Sequence, residues 1–268
     1  MKTQLAKHLA YWSLAIDGQP IQTPAALLQP VIWQGQAAML KISMASQEIE
    51  GYALLRWWGG DGAARVFEQS GSAILMERSA GSRSLAALSR EENDDEACRI
   101  ICAVVARLHS PRAAPMPALT PLNASFRALE TSALGRHGVL RPSHQAMTDL
   151  LAQPQDVRCL HGDIHHHNIL DFEARGWLAI DPKGLWGERA FDYANLFCNP
   201  EIEVAGNVER FLSRVGLVAE HAHLDRQRLL KWILAWAGLS AAWHFEDGTS
   251  AETALRVAKM ADAALNSM

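Results

Sequence analysis

The chain has 268 residues, of which 49% are hydrophobic and 20% are charged, and this composition excludes a disordered protein. Its formal net charge of −4 provides no basic field, so we expect no nucleic-acid or membrane-surface partner. No segment has the roughly 18 consecutive apolar residues of a spanning helix, and residues 1–20 lack a secretory leader pattern. We therefore predict a cytoplasmic protein.

The first third of the chain is predicted to be rich in strands. Residues 31–43 form two β-compatible runs around Gln34 and Gly35, which predicts a hairpin with Lys41 near the end of its second strand. Residues 46–60 have an approximately helical apolar spacing that stops at two glycines, and residues 63–79 form a second strand pair.

Helices are predicted to dominate the rest of the chain. Residues 93–111 form an amphipathic helix with acidic residues in its first turn and a proline just past its end. Cys98 and Cys102 lie four residues apart on it, which favours a buried apolar pair over a metal site. Trp232, Trp236 and Trp243 share one helix face, which predicts a buried helix, with an aromatic ligand site as the alternative.

The segment from Cys159 to Pro200 carries the chemistry. Its alternating pattern predicts two short strands that place Asp163, Asn168 and Asp181 at strand ends in one cleft. Phosphoryl transfer requires a carboxylate beside the acceptor hydroxyl, oxygen ligands for magnesium and a cation on the nucleotide phosphates. The segment supplies the first two, and Lys41 supplies the third.

The spacing H-G-D-x-x-x-x-N at residues 161–168, followed by I-D-P at 180–182, resembles the motif pair of the aminoglycoside phosphotransferases. The run RGWLAIDPKGLWGERAFDYANLFCNP at residues 175–200 is similar to the streptomycin 6-kinase and hydroxyurea kinase branch of that family. The resemblance implies an α+β, protein-kinase-like bilobal fold. Residues 1–77 would be a small β-rich nucleotide-binding lobe, and residues 78–268 a larger helical catalytic and substrate lobe.

The same resemblance implies an ATP- and Mg²⁺-dependent kinase that phosphorylates a hydroxyl of a cationic, aminoglycoside-like small molecule. Asp163 would be the catalytic base, and Asn168 and Asp181 would bind the metal. His161 would hold the shape of the loop, and Asp192 would anchor the loop to the helical lobe.

On the nucleotide side, the resemblance places Lys41 on the α- and β-phosphates, paired with a glutamate of the following helix. Glu48 is preferred over Glu50, although helix spacing alone does not separate them. Met76, Glu77 and Ser79 belong to a connector, residues 76–79, whose backbone would contact the adenine. The loop that should cover the nucleotide, near residues 19–30, has no glycine in it.

Several alternatives stay open at this point. The histidines at positions 161, 165, 166 and 167 could form a zinc site, although adjacent side chains on an extended chain diverge. The fold could also serve as a binding module without turnover. Glu188, Glu201 and Glu203 either bind cationic groups of the acceptor or belong to the solvated surface. The acceptor could equally be hydroxyurea, another sugar or a metabolite, and the oligomeric state is not predicted.

Overall fold

A strand-rich N-terminal region precedes a helical C-terminal region in the computed structural model, which describes residues 2–44, 46–91, 93–134 and 140–268. The strands are β1 Ala15–Ile16, β2 Ile21–Gln22, β3 Ala26–Trp33, β4 Gln36–Ser43, β5 Val66–Ser70, β6 Ala73–Glu77, β7 Thr120–Pro121, β8 Val157–Leu160, β9 Ile169–Asp171, β10 Trp177–Ala179 and β11 Leu185–Glu188.

The helices follow the same division, because the longer ones come after the first sheet. They are α1 Lys2–Tyr11, α2 Ser46–Trp58, α3 Leu85–Arg90, α4 Asp94–Leu108, α5 Arg127–Leu134, α6 Arg141–Ala152, α7 Phe191–Ala194, α8 Ile202–Ala205, α9 Val208–His221, α10 Arg226–Glu246 and α11 Glu252–Asn266. Over the described ranges, no helix combines the length and the apolar character needed to cross a bilayer.

The N-terminal sheet is antiparallel, with strand order β1-β3-β4-β6-β5 and β2 pairing with β3. The predicted hairpin turn is confirmed: Gln34 and Gly35 connect β3 to β4 and both have positive φ, the conformation of a tight type I′ turn. Strand β3 begins at Ala26, five residues earlier than predicted, because Ala26 and Leu27 are buried. Much of the segment expected to be a loop is therefore the β2–β3 hairpin, with residues 23–25 at its tip.

The two faces of this sheet have different partners, since neighbouring residues of a strand point to opposite sides. On one face, Leu40 and Ile42 of β4 join a small apolar cluster against which Leu5 and Leu9 of α1 pack. Lys41 lies between them in sequence and faces the other side, towards α2. The alternation of β4 thus brings a buried lysine to the face that meets the helical region.

Helix α10 runs through the core of the helical region. Trp232 is fully buried and lies against Phe126 and Phe191. Trp236 is also buried, but Trp243 is 41% exposed, so the prediction that all three tryptophans form a buried face was wrong for the third. Trp243 lies close to the end of the helix, beyond the buried stretch that ends at Ala242.

Two short ladders hold the loops that carry the chemistry. Strands β9 and β10 pair antiparallel, with Leu178 opposite Leu170, and strands β8 and β11 pair antiparallel, with Leu185 opposite Leu160. The chain between β8 and β9 forms one loop, residues 161–168, and the chain after β10 forms a second, residues 180–184. The two loops lie together, because His161 bonds to the Ile180 carbonyl at 2.7 Å and Lys183 to the His161 carbonyl at 2.7 Å.

Candidate active site

The loop of residues 161–168 is anchored by Asp192, the buried carboxylate of α7. One of its oxygens accepts the backbone N–H of His161 at 2.9 Å and the other accepts that of Gly162 at 2.7 Å. The His109 ring lies 2.8 Å from the same carboxylate. Asp192 is 1% exposed, and its two oxygens replace backbone partners that the turn cannot supply. This is the position expected for the predicted anchor.

His161 connects the two loops. Its Nε2 donates to the carbonyl of Ile180 at 2.7 Å, and its Nδ1 lies 3.3 Å from the backbone N–H of Asp163. Complete burial lowers the pKa of His161, which keeps the ring neutral with the proton on Nε2. The ring therefore acts as a spacer between the Asp163 loop and the Asp181 loop.

The Asp163 carboxylate is oriented by amide groups. Asn168 Nδ2 donates to Asp163 Oδ2 at 3.2 Å and to the Asp163 carbonyl at 2.9 Å, while Asn195 Nδ2 donates to Oδ1 at 2.8 Å. Lys183 Nζ lies 3.4 Å from Oδ2. Asp163 lines the floor of a cavity, and its orientation suits a group that meets an acceptor hydroxyl.

Lys41 forms an ion-pair cluster with two carboxylates. Its Nζ lies 3.0 Å from Glu48 Oε2 and 2.8 Å from Asp181 Oδ1, and the lysine is 2% exposed. Ser43 Oγ donates to Glu48 at 2.7 Å and holds it in place. Glu50 instead accepts a hydrogen bond from Thr120 at 3.0 Å, so the structure places Glu48, the preferred candidate, beside the lysine.

Asp181 lies in a loop with little freedom. It has φ +59°, a left-handed conformation that is uncommon for a residue other than glycine and that clusters at functional sites. The next residue, Pro182, packs its carbonyl directly on Gly51 of α2, where a β-carbon would lie 1.8 Å from the oxygen. The backbone thus fixes where the Asp181 carboxylate points.

The donors near Asp181 fit a magnesium ion carried with nucleotide phosphates. Asp181 would supply carboxylate oxygens, and Asn168 of the neighbouring loop would supply its side-chain amide oxygen. The two loops are joined here by a hydrogen bond from the Ile180 N–H to the backbone carbonyl of Asn168 at 2.9 Å. Magnesium prefers oxygen ligands and is typically held by one or two protein groups together with phosphates and water. When bound, the ion neutralises negative charge on the phosphates.

The predicted connector lies at the end of β6. Met76 is buried in that strand, and the Glu77 carboxylate is paired with Arg175. Ser79 Oγ donates to the Asp171 carbonyl at 2.6 Å, which ties the connector to β9. The backbone of Met76 and Glu77 is paired with β4, and the Glu77 N–H donates to the Arg65 carbonyl at 2.8 Å. The contact of the connector backbone with adenine therefore stays a prediction.

The three consecutive histidines of the loop do not converge. His165 Nε2 lies 3.8 Å from Asp163, and the His165 ring contacts that of His167 edge-on. His166 is buried, which lowers its pKa to about 3. Within the described residues, no group of three or more histidine, cysteine, aspartate or glutamate side chains could hold a metal ion. The geometry gives no support to the alternative zinc site.

A cavity of about 910 Å³ opens in front of Asp163. Its wall includes charged and aromatic residues from distant parts of the chain, namely Glu50, Arg127, Lys183, Trp236, Trp243 and Glu246. Sequence reasoning did not select Asn195, Lys183 or Glu246. Lys183 and Asn195 lie within the recognised motif run and could have been found there, but no local pattern marks Glu246.

The glutamates predicted as acceptor ligands lie elsewhere. Glu188 is 3% exposed and is bound by Arg228 and by the Trp232 ring nitrogen at 2.8 Å. Glu201 pairs with Arg90 at 2.6 Å. Neither Glu188 nor Glu201 nor the exposed Glu203 is among the described residues that line the cavity. Neither of the two alternatives, acceptor ligand or solvated surface, fits Glu188, because its buried carboxylate joins β11 to α10.

Solved structures share this architecture. Aminoglycoside phosphotransferase APH(4)-Ia matches with a TM-score of 0.70 at 15% identity, over 100% of this chain and 99% of the other. A choline/ethanolamine kinase family protein from Mesorhizobium loti also gives 0.70 at 15% identity, over 100% and 96%. At this identity the likeness establishes the fold alone, which is the predicted protein-kinase-like fold. Fold and site together define a phosphotransferase.

Sequence comparison assigns the family. The model of the aminoglycoside/hydroxyurea antibiotic resistance kinases matches residues 11–248. A streptomycin 3″-kinase from Klebsiella pneumoniae is 47% identical over 88% of this chain and 91% of its own length. A streptomycin 6-kinase from Streptomyces griseus is 35% identical over 92% and 84%, and a hydroxyurea phosphotransferase from Kitasatospora aureofaciens is 33% identical over 91% and 73%.

The chain therefore belongs to the aminoglycoside/hydroxyurea antibiotic resistance kinase family. It is an enzyme, a phosphotransferase that uses ATP, and the predicted enzyme class is confirmed.

Proposed function

We propose that this kinase transfers the γ-phosphoryl group of ATP to a hydroxyl of streptomycin or a closely similar cationic aminoglycoside, with Asp163 as the catalytic base. Two relatives that share 47% and 35% identity with the chain carry streptomycin in their names. We place the nucleotide between residues 1–77 and residues 78–268, acting as two lobes. The observation that carries the proposal is the cavity in front of Asp163, whose wall suits a cationic sugar.

The charge of the cavity favours a cationic acceptor. Three carboxylates line it, those of Glu50, Asp163 and Glu246, together with two cationic side chains, Arg127 and Lys183, which leaves an excess of one negative charge. Carboxylates can accept paired hydrogen bonds from a guanidinium group. The volume of about 910 Å³ lies towards the upper end of the range of ~300–1,000 Å³ for small-molecule sites. An acceptor with several rings and more than one cationic group fits this size and charge.

Two tryptophans provide the apolar part of the wall. The Trp236 and Trp243 rings are nearly perpendicular, with centroids 6.3 Å apart and an angle of 85°. Both line the cavity, which favours the aromatic ligand site over the buried face. Flat aromatic surfaces pack well against sugar C–H groups, and an amphipathic acceptor needs such a surface beside its charged groups.

The acceptor hydroxyl is predicted from sequence identity to the named relatives, not from the geometry of the cavity. The family resemblance in the motif run points to the 6-position, but the relative at 47% identity is a 3″-kinase and the one at 35% is a 6-kinase. We therefore favour the 3″-hydroxyl as the acceptor, and phosphorus NMR of the product distinguishes the two positions.

Asp163 would accept the proton of the acceptor hydroxyl. Asn168 and Asn195 hold the Asp163 carboxylate by one hydrogen bond to each of its oxygens. Asp181 with Asn168 would hold the metal that neutralises the phosphates. Lys41 would bind the α- and β-phosphates while Glu48 orients it. The acceptor oxygen then attacks in line with the departing ADP.

The test is a coupled assay of ADP release with MgATP and a panel of streptomycin, hydroxyurea and simple sugars. We expect turnover with streptomycin. Asp163→Asn should lower kcat by at least about 100-fold, because it removes the base but keeps the shape, and the affinity for the non-hydrolysable analogue AMP-PNP should change little. Turnover with hydroxyurea alone would refute the aminoglycoside assignment, and full activity of Asp163→Asn would refute the role of Asp163.

A further inference from the structure

A second lysine reaches the active site from the loop that carries Asp181. Lys183 Nζ lies 3.4 Å from Asp163 Oδ2 and 4.0 Å from Glu48 Oε1, and its side chain is 26% exposed. It lines the cavity beside Asp163. The lysine therefore stands between the base, the cavity and the ion pair of the nucleotide side.

Backbone contacts fix the position of the Lys183 main chain. The Lys183 N–H donates to the His161 carbonyl at 2.7 Å, and the following Gly184, with φ +67°, packs against the backbone of Glu50 and Gly51. A β-carbon at Gly184 would lie 3.1 Å from the Glu50 carbonyl. The backbone is thus held on both sides of the Lys183 side chain, whose ammonium lies 3.4 Å from Asp163.

The two lysines are held differently. Lys41 is 2% exposed and contacts its two carboxylates at 3.0 and 2.8 Å. Lys183 makes only the longer contacts, beyond the ~2.7–2.9 Å of a charge-assisted hydrogen bond, and its flexible stem ends in a compact ammonium with three donors. The ammonium of Lys183 can thus shift by a small rotation of its side chain, whereas that of Lys41 is held by two close ion pairs.

The position of Lys183 matches that of the transferred group. In the transfer step the acceptor oxygen bonds to the γ-phosphorus, the bond from that phosphorus to the bridging oxygen breaks with its electrons going to ADP, and the acceptor proton passes to Asp163. The γ-phosphoryl must therefore lie between Asp163 and the Asp181 loop, and Lys183 is attached to that loop two residues after Asp181. Equatorial oxygens of the phosphoryl carry negative charge throughout.

We propose that Lys183 is a catalytic residue that contacts the γ-phosphoryl oxygens of bound ATP and supplies a second cation, apart from Lys41, for their charge. This assignment rests on the proposed phosphoryl transfer. A lysine that merely held Asp163 in place would not distinguish nucleotides by their γ-phosphate. A contact with the γ-phosphoryl strengthens binding of ATP but not of ADP, which lacks that group.

The experiment compares magnesium AMP-PNP with magnesium ADP by calorimetric titration of the wild type, Lys183→Met, Lys183→Arg and Lys231→Met. Lys231 is a matched control on α10, 37% exposed and 4.0 Å from Asp149, away from the cavity. We expect Lys183→Met to weaken AMP-PNP binding by about 10- to 100-fold, the effect of losing a charge-assisted contact, with ADP binding changed by less than about threefold.

Lys183→Arg should recover most of the AMP-PNP affinity, and Lys231→Met should alter neither nucleotide. Equal losses for both nucleotides, or no loss for AMP-PNP, would overturn the assignment of Lys183. Should Lys183→Met fail to fold by circular dichroism, Lys183→Gln replaces it under the same criteria. Failure of the wild type to bind either nucleotide would refute the proposed function itself, so the two failures are distinguishable.

Discussion

Replacement of Gly51 by alanine tests whether helix α2 positions the Asp181 loop. The added β-carbon would lie 1.8 Å from the Pro182 carbonyl oxygen and 2.7 Å from its carbon, whereas real contacts of a β-carbon essentially never fall below 3.0 Å. The oxygen must therefore recede by about 1.2 Å, since a rigid close-packed interior leaves no other space. Pro182 lies between Asp181 and Lys183, so both side chains move with it.

A displacement of ~1 Å in a catalytic group lowers rates by about 100-fold, and overpacking of an interior costs about 1–3 kcal/mol. We expect Gly51→Ala to lose about 100-fold in kcat/KM with the acceptor that supports turnover, and to lose affinity for AMP-PNP. Coupled kinetics measure kcat/KM, calorimetric titration measures the AMP-PNP affinity, and urea unfolding measures the loss of stability of about 1–3 kcal/mol that overpacking causes.

Gly216→Ala is the matched control, because Gly216 lies on the exposed side of α9 and a β-carbon there meets nothing within 4 Å. It should keep wild-type kinetics and gain about 0.5–1 kcal/mol of stability from the lower flexibility of the unfolded chain. Wild-type kcat/KM in Gly51→Ala would refute the reasoning. So would an activity loss no larger than the fraction of protein that is unfolded.

Three further outcomes are expected. Trp243→Ala should raise the acceptor KM by about 3- to 10-fold with the ATP KM unchanged, whereas Trp186→Ala, equally 41% exposed but outside the cavity, should leave both unchanged in the same steady-state assay. Arg214→Met should cost about 3–5 kcal/mol of unfolding free energy in urea titrations, since Arg214 is buried against Asp94 at 2.6 and 2.8 Å. Replacement of the exposed Arg99 by methionine should change the unfolding free energy by less than about 0.5 kcal/mol, and equal losses in the two variants would contradict this. Finally, the hydrogen-bonded guanidinium of Arg83 lowers the pKa of Asp171 to about 2. The stability that this ion pair contributes is therefore present at neutral pH and is lost as the pH falls towards 2. The difference in urea midpoint between wild type and Arg83→Met should be constant above pH ~5 and narrow below it, and a difference that widens would contradict this assignment.

The parts of the site that lie close together in sequence could be predicted from it. Asp163, Asn168 and Asp181 fall within 19 residues, and short strands on either side leave few ways to arrange them. The hairpin that carries Lys41 could also be predicted from the sequence, because Gln34 and Gly35 suit a tight turn between apolar runs. Local spacing and turn chemistry thus determine where Lys41, Asp163, Asn168 and Asp181 lie.

The acceptor wall could not be predicted in the same way. Glu246 and Trp243 come from the end of α10, more than 75 residues after Asp163, and their facing the cavity depends on the tertiary packing of that helix. Glu188 shows the same limit, since neither an acceptor contact nor an exposed surface, the two alternatives for this carboxylate, describes a side chain buried against Arg228. The residues of the proposed acceptor wall are thus brought together by helix packing, which a single sequence does not display.

The two loops of the site behave as one unit, because they are joined by backbone groups. His161 donates to the Ile180 carbonyl at 2.7 Å, Ile180 donates to the Asn168 carbonyl at 2.9 Å, and Lys183 donates to the His161 carbonyl at 2.7 Å. These bonds hold Asp163 and the Asp181 loop at a fixed separation within the helical region.

The contacts of Asp181 with the N-terminal region are of another kind. Lys41 reaches Asp181 through an ion pair at 2.8 Å, and Gly51 touches Pro182 by packing alone. A small separation of the sheet from the helical region would therefore break the Lys41–Asp181 pair without moving Asp181 relative to Asp163. Under the proposed function, nucleotide phosphates would then pair with Lys41 and their metal with Asp181. In that proposal the ion pair is a contact that bound nucleotide would replace, while the bonds between the two loops would keep Asp163 and Asp181 at their present separation.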